Sequence, residues 1–432
     1  MPKSAMRLLP SLTAFALTAC FGAALPLPVS AAPAPVSAPA PGSSRAEFLR
    51  VVTSAPALVA AARRTSAAEA RVAAAGRLPD PTLEGMGSRM VGPMDERSTM
   101  YEVNLRQPLP KAGERAADRD RARATAAMAG ADYALMAGEM AADTAMALAE
   151  ADGAQERIRL LETQLNRLDA VLRSVEVRLA SGGGRLADRL TIQSRLAAMQ
   201  LMVAEERTMA EDALAAARGR LGLAASAPLP AFAAPDAAEI RPDDAAVLQL
   251  AAARVSEANA MMRMARASGR PMTSVGVRYE QNRTAMGDEN TVGLAFMTDL
   301  PWRSRRYARA EQRAASAERD AARTDGDAAR FRITTALSRV QRAAELADTA
   351  RRLSRETVQR LNAEYDAMLR AAGVGANAGA AMGGDSTVFQ LVELLEKITD
   401  TELQVVRAET ALRTAQAELW RYLPTAQFQP QT

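Results

Sequence analysis

The chain has 432 residues and a net charge of +4, and 48% of its residues are hydrophobic although only 4% are aromatic. It contains no histidine and one cysteine, so it lacks the residues on which zinc, haem and Ser-His-Asp sites depend. Its basic residues form no block, which argues against nucleic acid as a partner. We therefore expect no enzyme, no cofactor and no metal centre. No interior segment has the aromatic and β-branched richness of an ordinary globular core. Abundant alanine with interleaved charges is instead typical of long, closely packed helices.

The first 19 residues predict an export signal, because two basic residues precede an apolar stretch that is too short to span a bilayer. The sequence from Leu17 to Cys20 is similar to a bacterial lipobox, in which cleavage precedes a lipid-modified cysteine. We predict a signal peptide over residues 1–19 and lipidation of Cys20. Cleavage after Ala31 is the alternative, and it would remove Cys20. Residues 20–44 are rich in proline, alanine and serine, which predicts a flexible tether.

The remainder of the chain contains the same unit twice. Thr82 and Thr273 stand at equivalent positions, as do Leu109 and Leu300, and both pairs differ by 191 (273 − 82 = 300 − 109 = 191). A fixed internal period constrains architecture more strongly than local propensity does. We therefore divide the chain into a first repeat, a linker, a second repeat and a C-terminal tail, which cover residues 45–223, 224–241, 242–423 and 424–432.

Each repeat is predicted to begin with a helix and continue with two strands, at 82–107 and 272–299. Apolar and polar residues alternate in these strands, whose length of roughly nine residues suits a tilted membrane strand. The alternation predicts a lipid-facing surface opposite a polar lumen. The residues predicted to face lipid are Tyr101, Val103, Leu105, Val277, Leu294 and Phe296. A solvated sheet of a soluble domain is the alternative for any one strand.

A long helical hairpin completes each repeat, predicted at 111–223 and 303–423. No proline occurs from Lys111 to Leu179, so the first helix would form a rod of roughly 100 Å. Apolar residues three and four apart predict a coiled-coil seam in it, at Ile158, Leu161, Leu165, Leu168, Leu172, Val175 and Leu179. Four strands cannot close a barrel, since the smallest membrane barrels use about eight. The chain must therefore share its barrel with copies of itself.

Short motifs around the strands resemble those of the TolC-like outer-membrane efflux family, the outer membrane factors. They are Leu78-Pro79-Asp80-Pro81 before the first strand, Gln107-Pro108-Leu109-Pro110 with Gly113 and Arg115 after the second, and Leu300-Pro301 with Arg305-Arg306. Among relatives, these motifs are most similar to the CzcC-like metal-efflux branch. The resemblance implies a mainly α fold with a small membrane β part, in which three chains form a twelve-stranded barrel and an α-helical tunnel.

The same resemblance implies a function. The chain would be the homotrimeric, lipid-anchored exit duct of a tripartite efflux system in the outer membrane, with a periplasmic adaptor and an inner-membrane pump as partners. Metal ions or small toxic compounds would pass through it passively, which would give heavy-metal resistance. The absent histidine does not conflict with this, because a duct need not bind its cargo. A component of type I protein secretion and a periplasmic coiled-coil adaptor remain the alternatives.

The resemblance also implies a gate at the periplasmic ends of the hairpins, where acidic residues narrow the pore. Two aspartates near the predicted turns are the candidates, Asp188 and Asp385. Arg185 and Arg189 flank Asp188, so we expect them to offset its charge. Asp385 follows a glycine-rich turn, and three copies of it would form a negative ring. The alternative for Asp385 is an N-cap of the following helix.

Overall fold

The computed structural model describes residues 45–91, 97–284, 287–374 and 385–428. Side chains are described for all of these residues except 97 and 371–387. The predicted signal peptide, the predicted tether and Cys20 lie outside the described residues, as does the glycine-rich segment 375–384 of the second hairpin turn.

Both halves of the chain contain a strand pair followed by two long helices, and the first half begins with two helices where the second begins with one α-helix. The first half contains α1 (Arg45–Thr53), α2 (Pro56–Ala74), β1 (Thr82–Val91), β2 (Arg97–Leu109), α3 (Glu114–Ala180) and α4 (Leu186–Leu221). The second half contains α5 (Ala246–Ser268), β3 (Thr273–Thr284), β4 (Gly287–Thr298), α6 (Ser304–Val374) and α7 (Asp385–Glu418). β1 and β3 begin 191 residues apart (273 − 82 = 191), at the predicted repeat spacing. The mainly α fold with a small β part is confirmed.

The four strands form one sheet in chain order, and every neighbouring pair is antiparallel. β2 of the first repeat pairs with β3 of the second, with Val103 opposite Tyr279 and Leu105 opposite Val277. The sheet thus joins the two repeats. β1 and β4 lie at its ends and each pairs on one side only. Unpaired strand edges recruit further strands, so both ends are open to pairing with another chain.

A long hairpin follows each strand pair. α3 and α6 contain 67 and 71 residues, which corresponds to rods of roughly 100 Å. After α3, Gly182 adopts a left-handed conformation with φ of 82°, and the Gly183 N–H donates to the Arg178 carbonyl at 3.0 Å. Because glycine enters this region without steric cost, the turn stops α3 and reverses the chain into α4.

The far ends of the two hairpins pack around one apolar core, which we call the tip core. Its buried members come from α3, α4, α6 and α7, and they are Leu168, Val171, Val175, Ile192, Tyr365, Val388, Leu391, Val392 and Leu395. Of the predicted seam in α3, Leu168 and Val175 are buried here, whereas Leu172 lies at the edge and Val171 is buried instead. The reason is that α3 packs against α7 as well as α4, so it buries a wider face than a two-helix seam would.

A second core surrounds Trp420, and we call it the collar core. Phe48 of α1 stacks on Trp420 with ring centroids 5.3 Å apart, and Phe428 lies 6.4 Å away. The Trp420 indole N–H donates to the Ala233 carbonyl at 2.9 Å. Three of the few aromatic residues of the chain are therefore brought together at one place by the fold, although no single segment is rich in them.

The collar core also includes segments that the sequence predicts to be a linker and a tail. Ile240, within 224–241, and Phe428, within 424–432, are both buried. Arg45 at the start of α1 lies over the Trp420 ring at 5.1 Å and donates to Gln427 at 2.7 Å. The described residues of both segments are thus integral parts of the folded structure and connect the first repeat to the second.

Candidate channel surfaces

One side of the sheet, which we call the apolar face, exposes large hydrophobic side chains. Leu105, Val277 and Leu294 form one row across β2, β3 and β4. Leu294 is 92% exposed and Phe296 is 70% exposed, although exposed apolar patches on soluble monomers are usually small. All six residues predicted to face lipid lie on this face and are exposed: Tyr101, Val103, Leu105, Val277, Leu294 and Phe296.

The opposite side of the sheet, the polar face, is connected by ion pairs. Arg278 on β3 lies between two carboxylates, with its Nη2 atom 2.8 Å from Glu102 and 3.3 Å from Glu280. Arg106 pairs with Glu84 at 3.3 Å. Because Glu102 and Glu280 are directly opposite each other in the strand register, Arg278 offsets the repulsion between two neighbouring like charges.

The polar face is the more crowded of the two. Asn104 at its centre is only 8% exposed, and its side-chain oxygen has no hydrogen-bond partner among the described residues. A Cβ atom at Gly276 would lie 2.6 Å from the Leu105 carbonyl oxygen, so this position accepts no larger residue. Around Asn104 and Gly276 the polar face thus leaves less free space than the apolar face does around Leu294.

Sequence reasoning missed the cluster formed by Glu102, Arg278 and Glu280. The alternation in β2 and β3 signals a polar face, but it does not say which residues of the two strands lie opposite each other. Glu102 and Arg278 are 176 residues apart in the chain, and no local signal sets that register.

At the other end of the helices, polar contacts join the two hairpins around the tip core. Arg195 on α4 pairs with Glu396 on α7 at 3.1 Å, and Arg167 on α3 donates to Asn362 on α6 at 3.3 Å. Burial raises the pKa of Tyr365 beside them, and the charge of Arg167 opposes that shift. Separation of the hairpins would therefore break an ion pair and a hydrogen bond and expose a buried phenol.

The two predicted gate residues have different surroundings. Asp188 lies half-buried in the first turn of α4. Its neighbour Arg189 pairs with Glu176 at 3.4 Å and not with Asp188, because adjacent residues on a helix do not face each other. No ion pair between described residues includes Asp188. Asp385 is the first residue of α7, and its side chain lies outside the described ones.

Within the described ranges there is no group of three or more histidine, cysteine, aspartate or glutamate side chains placed to hold a metal ion. None of the helices in the described part of the chain combines the length and the hydropathy that a membrane span requires.

Comparison with known families gives one match. Residues 51–223, from α1 to the end of α4, match the model of a family described as Outer membrane efflux protein. A search of curated protein sequences gave no match.

Several solved structures share the fold. A membrane protein from Pseudomonas aeruginosa aligns with 20% identity and a TM-score of 0.66, over 87% of this chain and 93% of that one. The outer-membrane channel OprN aligns with 19% identity and a TM-score of 0.65, over 87% and 89% of the two chains. The outer membrane protein VceC from Vibrio cholerae aligns with 14% identity and a TM-score of 0.67, over 88% and 96%. At these identities the similarity shows a common fold.

Proposed function

Because residues 51–223 match the outer membrane efflux protein family, we propose that the chain belongs to this TolC-like family and is an outer-membrane channel that serves as the exit duct of an export system. The observation that supports this best is a sheet with an exposed apolar face and two open edges, joined to helical hairpins of roughly 100 Å. In this reading the sheet crosses the outer membrane and the hairpins form a periplasmic tunnel. The chain is a transport component and carries out no catalytic step.

Closure of the barrel requires several copies, and three is the number that fits. Two copies would supply eight strands, and a barrel of eight has an interior that side chains fill. Three copies supply twelve strands (3 × 4 = 12), within the range of membrane barrels. β1 and β4 run in opposite directions, so β4 of one copy and β1 of the next continue the antiparallel pattern.

The helices offer a second contact between copies. Apolar side chains of α6 are exposed in the single chain, among them Phe331 at 73%, Leu346 at 59% and Leu353 at 62%. Residues seven apart, such as Leu346 and Leu353, lie on one face of a helix. We expect this face to pack against a neighbouring copy in the homotrimer.

The polar face would line the lumen and favour cations. Each Glu102–Arg278–Glu280 cluster holds two carboxylates and one guanidinium, so it carries one net negative charge. Threefold symmetry would place three such clusters around the pore, and a negatively charged lumen attracts cations. This supports passive export of metal ions or small cationic toxic compounds from the periplasm to the exterior. The proposed partners are a periplasmic adaptor and an inner-membrane pump, which supply the energy that the duct lacks.

The gate is proposed at the hairpin turns, near Asp188 and Asp385. The Arg195–Glu396 and Arg167–Asn362 contacts would hold the closed arrangement until an adaptor separates the hairpins. Single-channel recording tests the acidic ring: Asp385→Asn is expected to weaken cation selectivity and block by divalent cations. If that change lowers stability and leaves conductance and selectivity untouched, Asp385 is an N-cap and not a gate residue.

A lipid anchor at Cys20 is proposed from the lipobox-like sequence alone. Cys20→Ser should abolish labelling with radioactive palmitate, while the barrel still holds the protein in the outer membrane, since one lipid group adds only part of the affinity. Mass spectrometry that finds a mature N-terminus at Ala32 in the unaltered protein would contradict the anchor.

Two other functions compete with the efflux duct. A component of type I protein secretion would use the same architecture and differ in cargo. A periplasmic adaptor fits the observations less well, because it would leave the apolar face of the sheet in water.

Membrane fractionation combined with bilayer recording tests the duct. We expect the protein in the outer-membrane fraction, with an unheated gel band that shifts from trimer to monomer on boiling, and a cation-selective conductance in planar bilayers. Arg278→Gln should increase the cation selectivity, whereas Arg352→Gln, exposed on α6, should leave it unchanged. Recovery of the protein as a periplasmic monomer without conductance would contradict the proposal.

A further inference from the structure

The two repeats differ where the second strand of each pair passes into the long helix. We call residues 109–119 the first junction and the equivalent residues 300–310 the second junction (300 − 191 = 109). The first junction contains three basic residues, two acidic residues and no aromatic residue. The second contains four arginines, no acidic residue and two aromatic residues: Arg303, Arg305, Arg306, Arg309, Trp302 and Tyr307.

The first junction satisfies its charged groups internally. The Lys111 ammonium donates to the Ser268 carbonyl at 3.0 Å, and the Lys111 N–H donates to Glu114 at 2.8 Å. Arg115 donates to the Gly76 carbonyl at 2.7 Å. Its polar groups therefore connect the start of α3 to the C-terminal ends of α2 and α5.

The second junction leaves its aromatic and basic side chains in solvent. Trp302 is 84% exposed and Tyr307 is 67% exposed. All four arginines are exposed as well, and none of them takes part in an ion pair between described residues. The flanking Asp299 and Glu311 reduce the excess of positive charge from four to two but do not remove it. The fold itself makes no use of these charges.

The second junction lies next to the apolar face of the sheet. β4 exposes Leu294 and Phe296 and ends at Thr298, and Trp302 follows four residues later. Tryptophan and tyrosine are enriched where an apolar band meets water. Arginine at that level pairs with phosphate, because its planar guanidinium donates two parallel hydrogen bonds.

We propose that the second junction binds the headgroups of anionic phospholipids in the periplasmic leaflet of the outer membrane. The inference rests on the proposed membrane barrel, since α6 runs from this junction into the periplasmic tunnel. Trp302 and Tyr307 would lie at the boundary of the hydrocarbon, and the four arginines would contact phosphate groups.

A neighbouring copy is the competing occupant of this surface, and its charge does not suit the role. Pairing of β4 with β1 of the next copy would bring that copy's residues 75–81 alongside the end of β4. This segment contains one arginine, Arg77, and one acidic residue, Asp80, so it has no net negative charge with which to neutralise four arginines.

Tryptophan fluorescence can test the proposal directly. The chain has two tryptophans, and Trp420 is fully buried in the collar core, so quenching by brominated acyl chains reports on Trp302. The trimer is placed in vesicles of phosphatidylcholine and phosphatidylglycerol at one fixed composition, with bromine on either one lipid or the other. Each arginine near an anionic membrane surface strengthens its binding to anionic lipid roughly fivefold. We therefore expect brominated phosphatidylglycerol to quench more, per mole present, than brominated phosphatidylcholine.

Two matched double variants show whether the arginines of the second junction cause the preference for phosphatidylglycerol. The double variant Arg305→Gln, Arg306→Gln should lower the ratio of quenching by brominated phosphatidylglycerol to quenching by brominated phosphatidylcholine toward one. Arg352→Gln with Arg355→Gln should leave it unchanged, because these exposed arginines lie on the same helix, 46 residues beyond Arg306 (352 − 306 = 46) and roughly 70 Å away. Trp302→Phe should remove the quenching by either lipid.

Vesicle flotation separates the possible failures. If the protein floats with the vesicles and both brominated lipids quench equally, the preference for anionic lipid is wrong and the barrel stands. If the protein floats and neither brominated lipid quenches the Trp302 fluorescence, a neighbouring copy covers Trp302 and the proposal is also wrong. A protein that does not float contradicts the membrane barrel, and with it this inference.

Discussion

The sheet and the helical bundle distribute their apolar side chains in opposite ways. In the sheet, Leu294 is 92% exposed while Asn104 on the other face is 8% exposed. In α7, Leu391, Leu395 and Ile398 are exposed by 2% or less. One rule produces both patterns, namely that apolar groups leave water, provided that the sheet meets hydrocarbon and the bundle meets water. The contrast therefore supports the proposal that the sheet lies in the membrane and the bundle outside it.

The largest effect is expected from reversing the pattern in the sheet. Leu294→Arg places a charge on the apolar face, which costs roughly 2–4 kcal/mol per chain near the middle of a bilayer, and symmetry repeats the cost. Assembly of the heat-modifiable trimer in the outer membrane should be lost. Thr291→Arg on the polar face of the same strand, opposite Glu280, is the control and should assemble. Equal assembly of the two variants would show that the apolar face does not meet lipid.

A smaller effect, on the unfolding free energy, is expected from truncating a side chain in the collar core, where packing excludes water. Trp420→Ala removes a fully buried ring and its hydrogen bond to Ala233, which should cost about 3–5 kcal/mol of unfolding free energy. Trp302→Ala removes an exposed ring and should leave helix melting, followed by circular dichroism, unchanged. A similar loss in both variants would mean that Trp302 is packed within the trimer.

The buried tyrosines of the bundle predict a dependence on alkaline pH. Burial is the largest cause that raises the pKa of Tyr133, Tyr365 and Tyr422 above 10.0. A raised pKa means that the folded state favours the neutral phenol more than the unfolded state does. The resulting contribution to the unfolding free energy is fully present below about pH 10 and is lost as the pH rises further. Unfolding free energy measured from pH 9 to 12 should fall, and Tyr365→Phe should make the fall shallower. An unchanged slope would mean that Tyr365 is solvated.

The smallest effect is expected at the half-exposed ion pair between the hairpins. Arg195→Gln breaks the contact with Glu396, and an exposed pair contributes at most about 1 kcal/mol. Stability should change little, while the open fraction in single-channel recordings should rise. Arg173→Gln, which breaks a pair within α3 to Asp169, is the matched control. An equal rise in the control would exclude a specific role for the contact between hairpins.

The sequence predicts well the elements whose residues recur at a regular spacing. Alternation with a period of two marks β2, β3 and β4, and the spacing of 191 residues between Thr82 and Thr273 marks the duplication. The collar core was missed because Phe48, Ala233 and Trp420 come from three distant segments. A proline- and alanine-rich stretch gives no local sign that it packs under a tryptophan.

Contacts between distant segments also escape sequence-based prediction in the candidate channel. Its polar face follows from the alternation of residue types, but the contacts of Arg278 depend on pairing between the two repeats. At the tip, Asp188 and Arg189 are adjacent in sequence, yet Arg189 faces Glu176 across the turn. Contacts made between distant segments need the fold before they can be named.

Single-cysteine labelling along β4 tests the central claim most directly, that the sheet crosses the membrane with its polar face inside. Lipidation or removal of Cys20, the one cysteine of the chain, would leave no free thiol in the mature protein. Cysteines are introduced one at a time at the consecutive positions from 291 to 296 and treated with a membrane-impermeant maleimide. Labelling is predicted at Thr291, Gly293 and Ala295, with protection at Val292, Leu294 and Phe296. Equal labelling at all six positions would contradict the account.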